Sequence, residues 1–307
     1  MPFLRRKPAW RGGRAEGARH RRRRKPCRCR QDTDFCLTST RLPFHEQADV
    51  HKGSPVTDHI LVERQGAIQI IRMNRPDKKN ALTRAMYAKM SAALAGGDAD
   101  PAIRVHVFFG VSGAFSSGND LADFMVVATG GEGGTEVWDF LMALARTEKP
   151  MVSGVDGIAV GIGTTLNLHC DLTFATPRTM FRTPFVDLGL VPEAGSSLLA
   201  PQILGRQAAF ALLGLGEGFS AERAKAAGLI YAVVEENELE ASVLAAASQI
   251  AAKPPQALKI ARDLMRGSRE DLIARIGAES EHFRERLKSH EARAALMAFM
   301  TRKKGIG

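Results

Sequence analysis

Asp156-Gly157-Ile158-Ala159-Val160-Gly161-Ile162-Gly163-Thr164-Thr165-Leu166-Asn167-Leu168-His169-Cys170 is the stretch on whose reading the fold turns. The apolar run Pro150-Met151-Val152-Ser153-Gly154 before it reads as a strand end, the glycines as a turn, and Ile162 onward as a helix whose body is almost wholly apolar. A helix that is apolar all round is buried. Its first-turn N–H groups have no intrahelical partner, and Gly161 and Gly163 let atoms of another molecule come close to that backbone. Such a turn suits developing negative charge. Read alone, it is equally a tight turn between a core strand and a core helix.

A second stretch points the same way. Arg104-Val105-His106-Val107-Phe108-Phe109-Gly110 reads as a strand that runs into Gly113-Ala114-Phe115-Ser116-Ser117-Gly118-Asn119-Asp120-Leu121. Two such loops, each offering a backbone N–H, are what a two-donor oxyanion hole requires. Together SGNDL at 117–121 and GIAVGIGTTL at 157–166 resemble the enoyl-CoA hydratase/isomerase (crotonase) family, and the resemblance runs from about Asp58 to the C-terminus. It implies an α/β fold: a crotonase-like (ClpP/crotonase) spiral of ββα units with a C-terminal helical trimerisation region. The alternation of short strands and helices along the chain independently points to α/β. The expected division is a tail over 1–55, a core over 56–252 and a helical region over 253–307.

Net charge is confined to that tail. Residues 1–55 hold 15 Lys+Arg against 5 Asp+Glu, whereas the remainder holds 28 of each, so the formal charge of +10 says nothing about the globular part. Arg21-Arg22-Arg23-Arg24-Lys25 with little apolar periodicity predicts disorder. Three readings compete for the tail: an organelle transit peptide, a nucleic-acid-binding arm, or translated upstream sequence with the working start near Val50 or Val56. The third is favoured, because no Met lies between Met1 and Met73. Cys27, Cys29 and Cys36 lie in the tail and Cys170 outside it, without paired C-x-x-C spacing, so neither a zinc site nor an oxidising compartment is implied. No apolar run is long enough to span a bilayer. A cytoplasmic protein is expected, or one of an organellar matrix if the tail is a transit peptide.

Patterned chain begins with a hairpin, Ile60–Glu63 and Ala67–Met73 around Gln65-Gly66. Asn74-Arg75-Pro76-Asp77-Lys78-Lys79-Asn80-Ala81-Leu82 is a turn matching the family's NRPxxxNAL signature, and a helix follows over about 83–95. By resemblance, Lys78, Lys79 and Ala81, with Ser117, Gly118, Asp120, Leu121 and Gly161 of the other two motifs, are candidate CoA contacts. Read from the residues alone, the two lysines are a solvated surface and Asp120 anchors its own loop. Residues 122–136 include a glycine-rich loop, expected to be mobile and, by resemblance, to border the acyl tail. A helix is predicted over 137–146. Beyond Pro254-Pro255, segments 257–265, 271–287 and 291–302 are each helical and amphipathic. By resemblance they trimerise; a helical cap over the same subunit is the alternative.

The segment Met180–Ser197 separates the family's activities. Counting along the family pattern, hydratases carry glutamates where Thr165 and Phe185 stand here. What remains is Glu193 in PEAGSS, which matches the catalytic glutamate of the peroxisomal-type Δ3,Δ2-enoyl-CoA isomerases. Moving a double bond from C3 to C2 of a thioester requires removing a C2 proton, passing through an enolate and returning a proton at C4. One carboxylate serves both proton steps, and two preorganised N–H groups stabilise the enolate oxygen by roughly 3–4 kcal/mol each. Those donors are assigned to the backbones of Asn119 and Ile162. Glu193 among Val191, Pro192 and Ala194 stands in apolar surroundings that raise a carboxyl pKa. Its plainer role would be to stabilise the next helix's N-terminus.

The implied function is isomerisation of 3-enoyl-CoA to 2-enoyl-CoA in fatty-acid oxidation, in a homotrimer or hexamer, with CoA as part of the substrate and no separate cofactor or metal. An enoyl-CoA hydratase or other crotonase-type activity is the first alternative; a non-catalytic CoA- or RNA-binding protein is the second. Asp187 is read as a loop or cap residue, and His169 and Cys170 as packing or hydrogen bonding at a helix end.

Overall fold

Short runs of β-branched and aromatic residues build two sheets that the chain visits alternately. The structure, a computed structural model, describes residues 58–128, 131 and 134–304; the readings of the 1–55 tail lie outside the described residues. β1 (Ile60–Gln65) and β2 (Ile68–Met73) form the expected hairpin, with Gln65 opposite Ile68 and Ile60 opposite Met73. The chain then advances in strand pairs: β3 (Val105–Phe109) and β4 (Ala114–Ser116), β5 (Met151–Val155) and β6 (Ile158–Val160), β7 (Leu172–Ala175) and β8 (Met180–Arg182). β9 (Phe219–Ser220) and β10 (Ala232–Val233) complete the sheets. The first strand of each pair joins a six-stranded sheet ordered β1-β2-β3-β5-β7-β10, and the second joins a four-stranded sheet ordered β4-β6-β8-β9. All pairings are parallel except β1–β2 and β8–β9. This is the spiral of ββα units that the resemblance implies.

Helices cover both faces of the large sheet, so β3 and β5 are buried at every residue. The twofold alternation of β2 sorts its side chains. Ile68 and Ile70 join Val105, Val107 and Phe109 in a cluster with Leu239, Val243 and Ala247 of one helix. Ile71 and Met73 belong to the main core with Tyr87, Met90 and Leu94.

The helices among the described residues are α1 (Arg84–Ala99), α2 (Leu121–Ala128), α3 (Glu136–Arg146), α4 (Ile162–Thr165), α5 (Ser196–Leu204) and α6 (Arg206–Leu213), followed by α7 (Ala221–Ala227), α8 (Leu239–Ala251), α9 (Pro255–Arg266), α10 (Arg269–Leu287) and α11 (His290–Lys304). Three differ from expectation. The apolar stretch after Gly161 is buried, but only α4 is α-helical; Leu166–His169 is a 3-10 turn. Asn167 Nδ2 donates to the Gly163 carbonyl at 2.7 Å, where a regular helix would place the Asn167 backbone N–H, so the side chain diverts the ladder. α2 occupies Leu121–Ala128, where no helix was expected; the apolar run ahead of the glycines forms it, Asp120 Oδ1 accepts the Ala122 N–H at its start, and most of the expected glycine-rich loop (129, 130, 132 and 133) lies outside the described residues. α1 runs on to Ala99 instead of ending near 95.

α10 lies against α2, α3 and α5, and α11 against the turn at 186–188. α10 and α11 therefore pack on their own subunit. Among the described residues no helix is long and apolar enough to cross a membrane.

Candidate active site

Asp156 ties the two glycine-containing stretches together. Its Oδ2 accepts the Gly113 N–H at 2.7 Å, and Arg178 and Thr176 bond the same carboxylate at 2.5 and 2.7 Å. Burial alone raises this carboxyl; the Arg178 guanidinium and the two other donors outweigh it and hold the group at about 2. β4 and β6 then run parallel, Ala114 beside Ile158 and Ser116 beside Ala159, so both strands end on the same side. The two turns touch: a Cβ at Gly118 would sit 3.0 Å from the Val160 carbonyl, and one at Gly163 2.8 Å from that of Ser116.

The two expected donors emerge from these turns. Leu82 forms a parallel bridge to Asn119, with the Leu82 N–H on Gly118 O at 2.8 Å and the Asp120 N–H on Leu82 O at 2.9 Å. In such a bridge the central residue's own N–H points to the opposite side. Asn119 thus turns its amide away from Leu82, while Tyr87 Oη donates to its side-chain oxygen at 2.5 Å. Ile162 is the first residue of α4. Gly161 before it adopts φ 57° and ψ −121°, a conformation open to glycine, and accepts the N–H groups of Thr164 and Thr165. The Ile162 N–H is therefore one of the helix's unpaired first donors. Its side chain is fully buried and anchors the turn in the core.

The candidate CoA contacts gather elsewhere. Segments 75–82 and 114–120 are zipped together: Ser117 N–H bonds Lys79 O at 2.9 Å, Ser117 Oγ bonds Lys78 O at 3.2 Å, and Arg75 bonds both Ala81 O and Asp120 Oδ2, the latter at 2.6 Å. Asn80 is the hub of this seam. Fully buried and left-handed at φ 54°, its side-chain amide donates to the carbonyls of Met73, Ala114 and Phe115. Lys78 and Lys79 are exposed on the outside of the seam, and Leu121 opens α2. None of Lys78, Lys79, Ala81, Ser117, Gly118, Asp120 and Gly161 lines the large cavity described next.

That cavity, about 530 Å³, lies between α1, α2, α3 and α10 and is lined by both Glu193 and Asn119. Tyr87, Val137, Trp138, Leu141 and Leu287 give it an apolar lining, with Arg84, Asp123, Arg284 and Lys288 among its polar groups. Glu193 is 5% exposed. Burial pushes its carboxyl up to about 7; the Thr165 hydroxyl, donating to Oε1 at 2.6 Å, opposes the rise, and the Glu279 charge adds to it. Tyr87 is pushed well above its usual range by burial and by the charges of Glu193 and Asp123, so its phenol stays a donor. Behind Glu193, His169 Nε2 lies 2.7 Å from the Ala194 carbonyl. Burial lowers this imidazole to about 4, so it is neutral, and against a carbonyl the Nε2 must carry the proton. Asp187 pairs with Arg182 at 3.1 Å in solvent, outside the cavity.

A buried carboxyl near neutrality that shares a cavity with Asn119 suits proton transfer; Ile162, on the touching turn, is not among the residues that line that cavity. The family model for enoyl-CoA hydratase/isomerase matches residues 63–305. The chain belongs to the enoyl-CoA hydratase/isomerase family. Among its relatives, rat "Enoyl-CoA delta isomerase 2" is 36% identical over 250 residues, covering 80% of this chain, while the chain spans 64% of the rat protein's length. Mouse "Enoyl-CoA delta isomerase 3, peroxisomal" is 31% identical over 276 residues, with 87% of this chain and 86% of the mouse protein covered. The solved structure of Pseudomonas aeruginosa OdaA superimposes with a TM-score of 0.75 at 42% identity, over 80% of this chain and 99% of that one. Thr165 and Phe185, read from the resemblance as standing where hydratases carry glutamates, are both buried.

Sequence reasoning missed Tyr87, Thr165 as the partner of Glu193, and the α10 wall of the cavity. Thr165 entered it only as an absent acid. The amphipathic stripe of α10, with Phe283 and Leu287, was legible, but not which surface it covers.

Proposed function

We propose that the chain is an acyl-CoA thioester isomerase that moves a 3-enoyl-CoA double bond to the 2-position, as a step of fatty-acid oxidation. The observation that carries this reading is the carboxyl of Glu193, buried and held near neutrality; by resemblance, Thr165 and Phe185 stand where hydration would need acids. Ionised Glu193 takes a proton from C2; the electrons move through C1 to the thioester oxygen, which the Asn119 and Ile162 N–H groups receive. The protonated carboxyl then gives its proton to C4, and the C2–C3 double bond forms as the oxygen's charge returns. A carboxyl at about 7 is balanced for both steps at neutral pH. Hydration would in addition need a group to hold and deprotonate a water, and neither Thr165 nor Phe185 is a base. In this reading Lys78, Lys79 and Ala81, with Ser117, Gly118, Asp120, Leu121 and Gly161, lie along the CoA moiety, and the cavity toward α2 and α3 takes the acyl chain.

The test is to incubate the protein separately with 3-enoyl-CoA and 2-enoyl-CoA and identify the products. Conversion of the first to 2-enoyl-CoA, with slow or no 3-hydroxyacyl-CoA from the second, is expected. Rapid hydration of 2-enoyl-CoA overturns the reading. Glu193→Gln should abolish isomerisation while thioester affinity stays within a few-fold, because the amide keeps the shape and loses the proton.

A further inference from the structure

One side chain of α10 reaches the turn that carries Glu193. Glu279 is 6% exposed, and its carboxylate accepts the Gly195 N–H at 2.6 Å, the Ser197 N–H at 2.9 Å and the Ser197 hydroxyl at 2.5 Å. In all three bonds it is the acceptor, the role of an ionised carboxylate; burial raises its own carboxyl above the usual range, and these donors and Arg275 oppose that rise. The turn it holds is unusual: Ala194 and Gly195 both have positive φ, 61° and 69°, directly after Glu193. A left-handed alanine persists only where its surroundings over-determine it. Here the His169 imidazole fixes the Ala194 carbonyl from the core, and Glu279 fixes the next N–H groups from α10. These are also the first free N–H groups of α5, whose partial positive charge would otherwise stabilise an ionised Glu193.

We infer that Glu279 is a positioning residue for Glu193: it locks the 193–197 turn and occupies the α5 N-terminus, so that Glu193 holds its proton more tightly than the bare turn would allow. The inference rests on Glu193 being the proton-transfer group. Other charged or titratable groups bear on the pair. Arg84 and Tyr87 of α1, Asp123 of α2, Arg284 of α10 and Lys288 just after it line the same cavity as Glu193. His169 stands behind Ala194, and Arg275 bonds the Ser197 hydroxyl at 3.2 Å beside Glu279. Glu279 is the acidic member that binds the turn itself.

Two readouts test this, and one does not need turnover. Urea unfolding of wild type against Glu193→Gln, from pH 4 to 9, locates the pH above which their stability difference stops changing, which is where the Glu193 carboxyl titrates in the folded protein. The same comparison between Glu279→Gln and Glu279→Gln/Glu193→Gln should place that pH lower by about half a unit to one unit. The acid limb of the isomerisation profile should move by the same amount in Glu279→Gln, with KM changed less than kcat. Ser197→Ala, which removes only the hydroxyl bond, should leave the limb in place. Glu279→Asp, which keeps the charge but draws it back by one methylene, should shift it by less than Glu279→Gln does. If both Glu279 variants lose stability or activity with neither midpoint moved, Glu279 is merely structural and the inference falls. Should the wild type fail to isomerise while the unfolding midpoints move as expected, the functional reading fails and the role of Glu279 stands.

Discussion

Glu193 shows how a residue's function loads its stability. Its carboxyl titrates at about 7 in the fold, against 4.5 as the ordinary value, because burial disfavours the charge. Between these two pH values the unfolded chain releases a proton that the native state keeps, so stability falls as pH rises through the window and levels off above it. Glu193→Gln removes the penalty. At pH 8 the variant should be the more stable by about 3 kcal/mol, a gain that shrinks as pH falls below 7 and is gone below 4.5; urea unfolding across pH reads it directly. Thr165 acts in the opposite sense, since its hydroxyl supports the ionised form. In Thr165→Val the acid limb of kcat should move up by about one unit, so the loss of rate at pH 7 should be largely recovered at pH 9; an unmoved limb would make Thr165 a packing residue. Glu193 was legible in the sequence because a motif surrounds it. Its partners Thr165 and Tyr87 were not, since nothing in a linear pattern says that residues 28 positions before it and on the far helix α1 converge on it.

At the scale of elements, the strands of the six-stranded sheet and the glycine turns were legible and the four-stranded sheet β4-β6-β8-β9 was not, while among the helices the one after Gly161 was read as too long and α2 was missed. Both errors have local causes: the Asn167 side chain competes for the ladder after α4, and the glycines at 129–134 masked a short apolar run before them. The turn at Ile162 lets backbone and side chain be separated experimentally. Proline is tolerated at a first helical position, so Ile162→Pro removes the N–H with little conformational penalty and should lower kcat about 100-fold or more. Ile162→Ala keeps the N–H but opens a hole where the side chain is fully buried, and should cost about 2–4 kcal/mol of stability with kcat per folded molecule changed only a few-fold. Equal losses of kcat from both changes would assign the effect to the side chain.

For the molecule as a whole, the fold and the family were readable from three glycine-containing motifs, while the roof of the cavity was not, because only the folded chain shows which surface an amphipathic helix covers. α10 turned out to roof its own subunit. α9 is different. Arg262 anchors its inner face on Asp171 at 2.9 Å, while Ile260, Leu264 and Met265 face outward at 58, 80 and 79% exposure. An apolar stripe of this kind is suited to closed symmetric assembly, and a trimer or hexamer is the expected state. Light scattering should return that mass for the wild type and a smaller one for Leu264→Glu; a wild-type monomer at micromolar concentration would refute it.

The order of strands also bears on how the protein is made. β2, β3, β5, β7 and β10 lie side by side in the order in which they are translated, so each new strand finds its neighbour already in place as the chain leaves the ribosome. The clamp on Glu193 comes from much later, in α10. A nascent chain arrested after α8 would hold both sheets and its own base, yet lack the carboxylate that locks the turn and the helix that roofs the cavity. Competence for chemistry is then the last property the growing polypeptide acquires, well after its architecture.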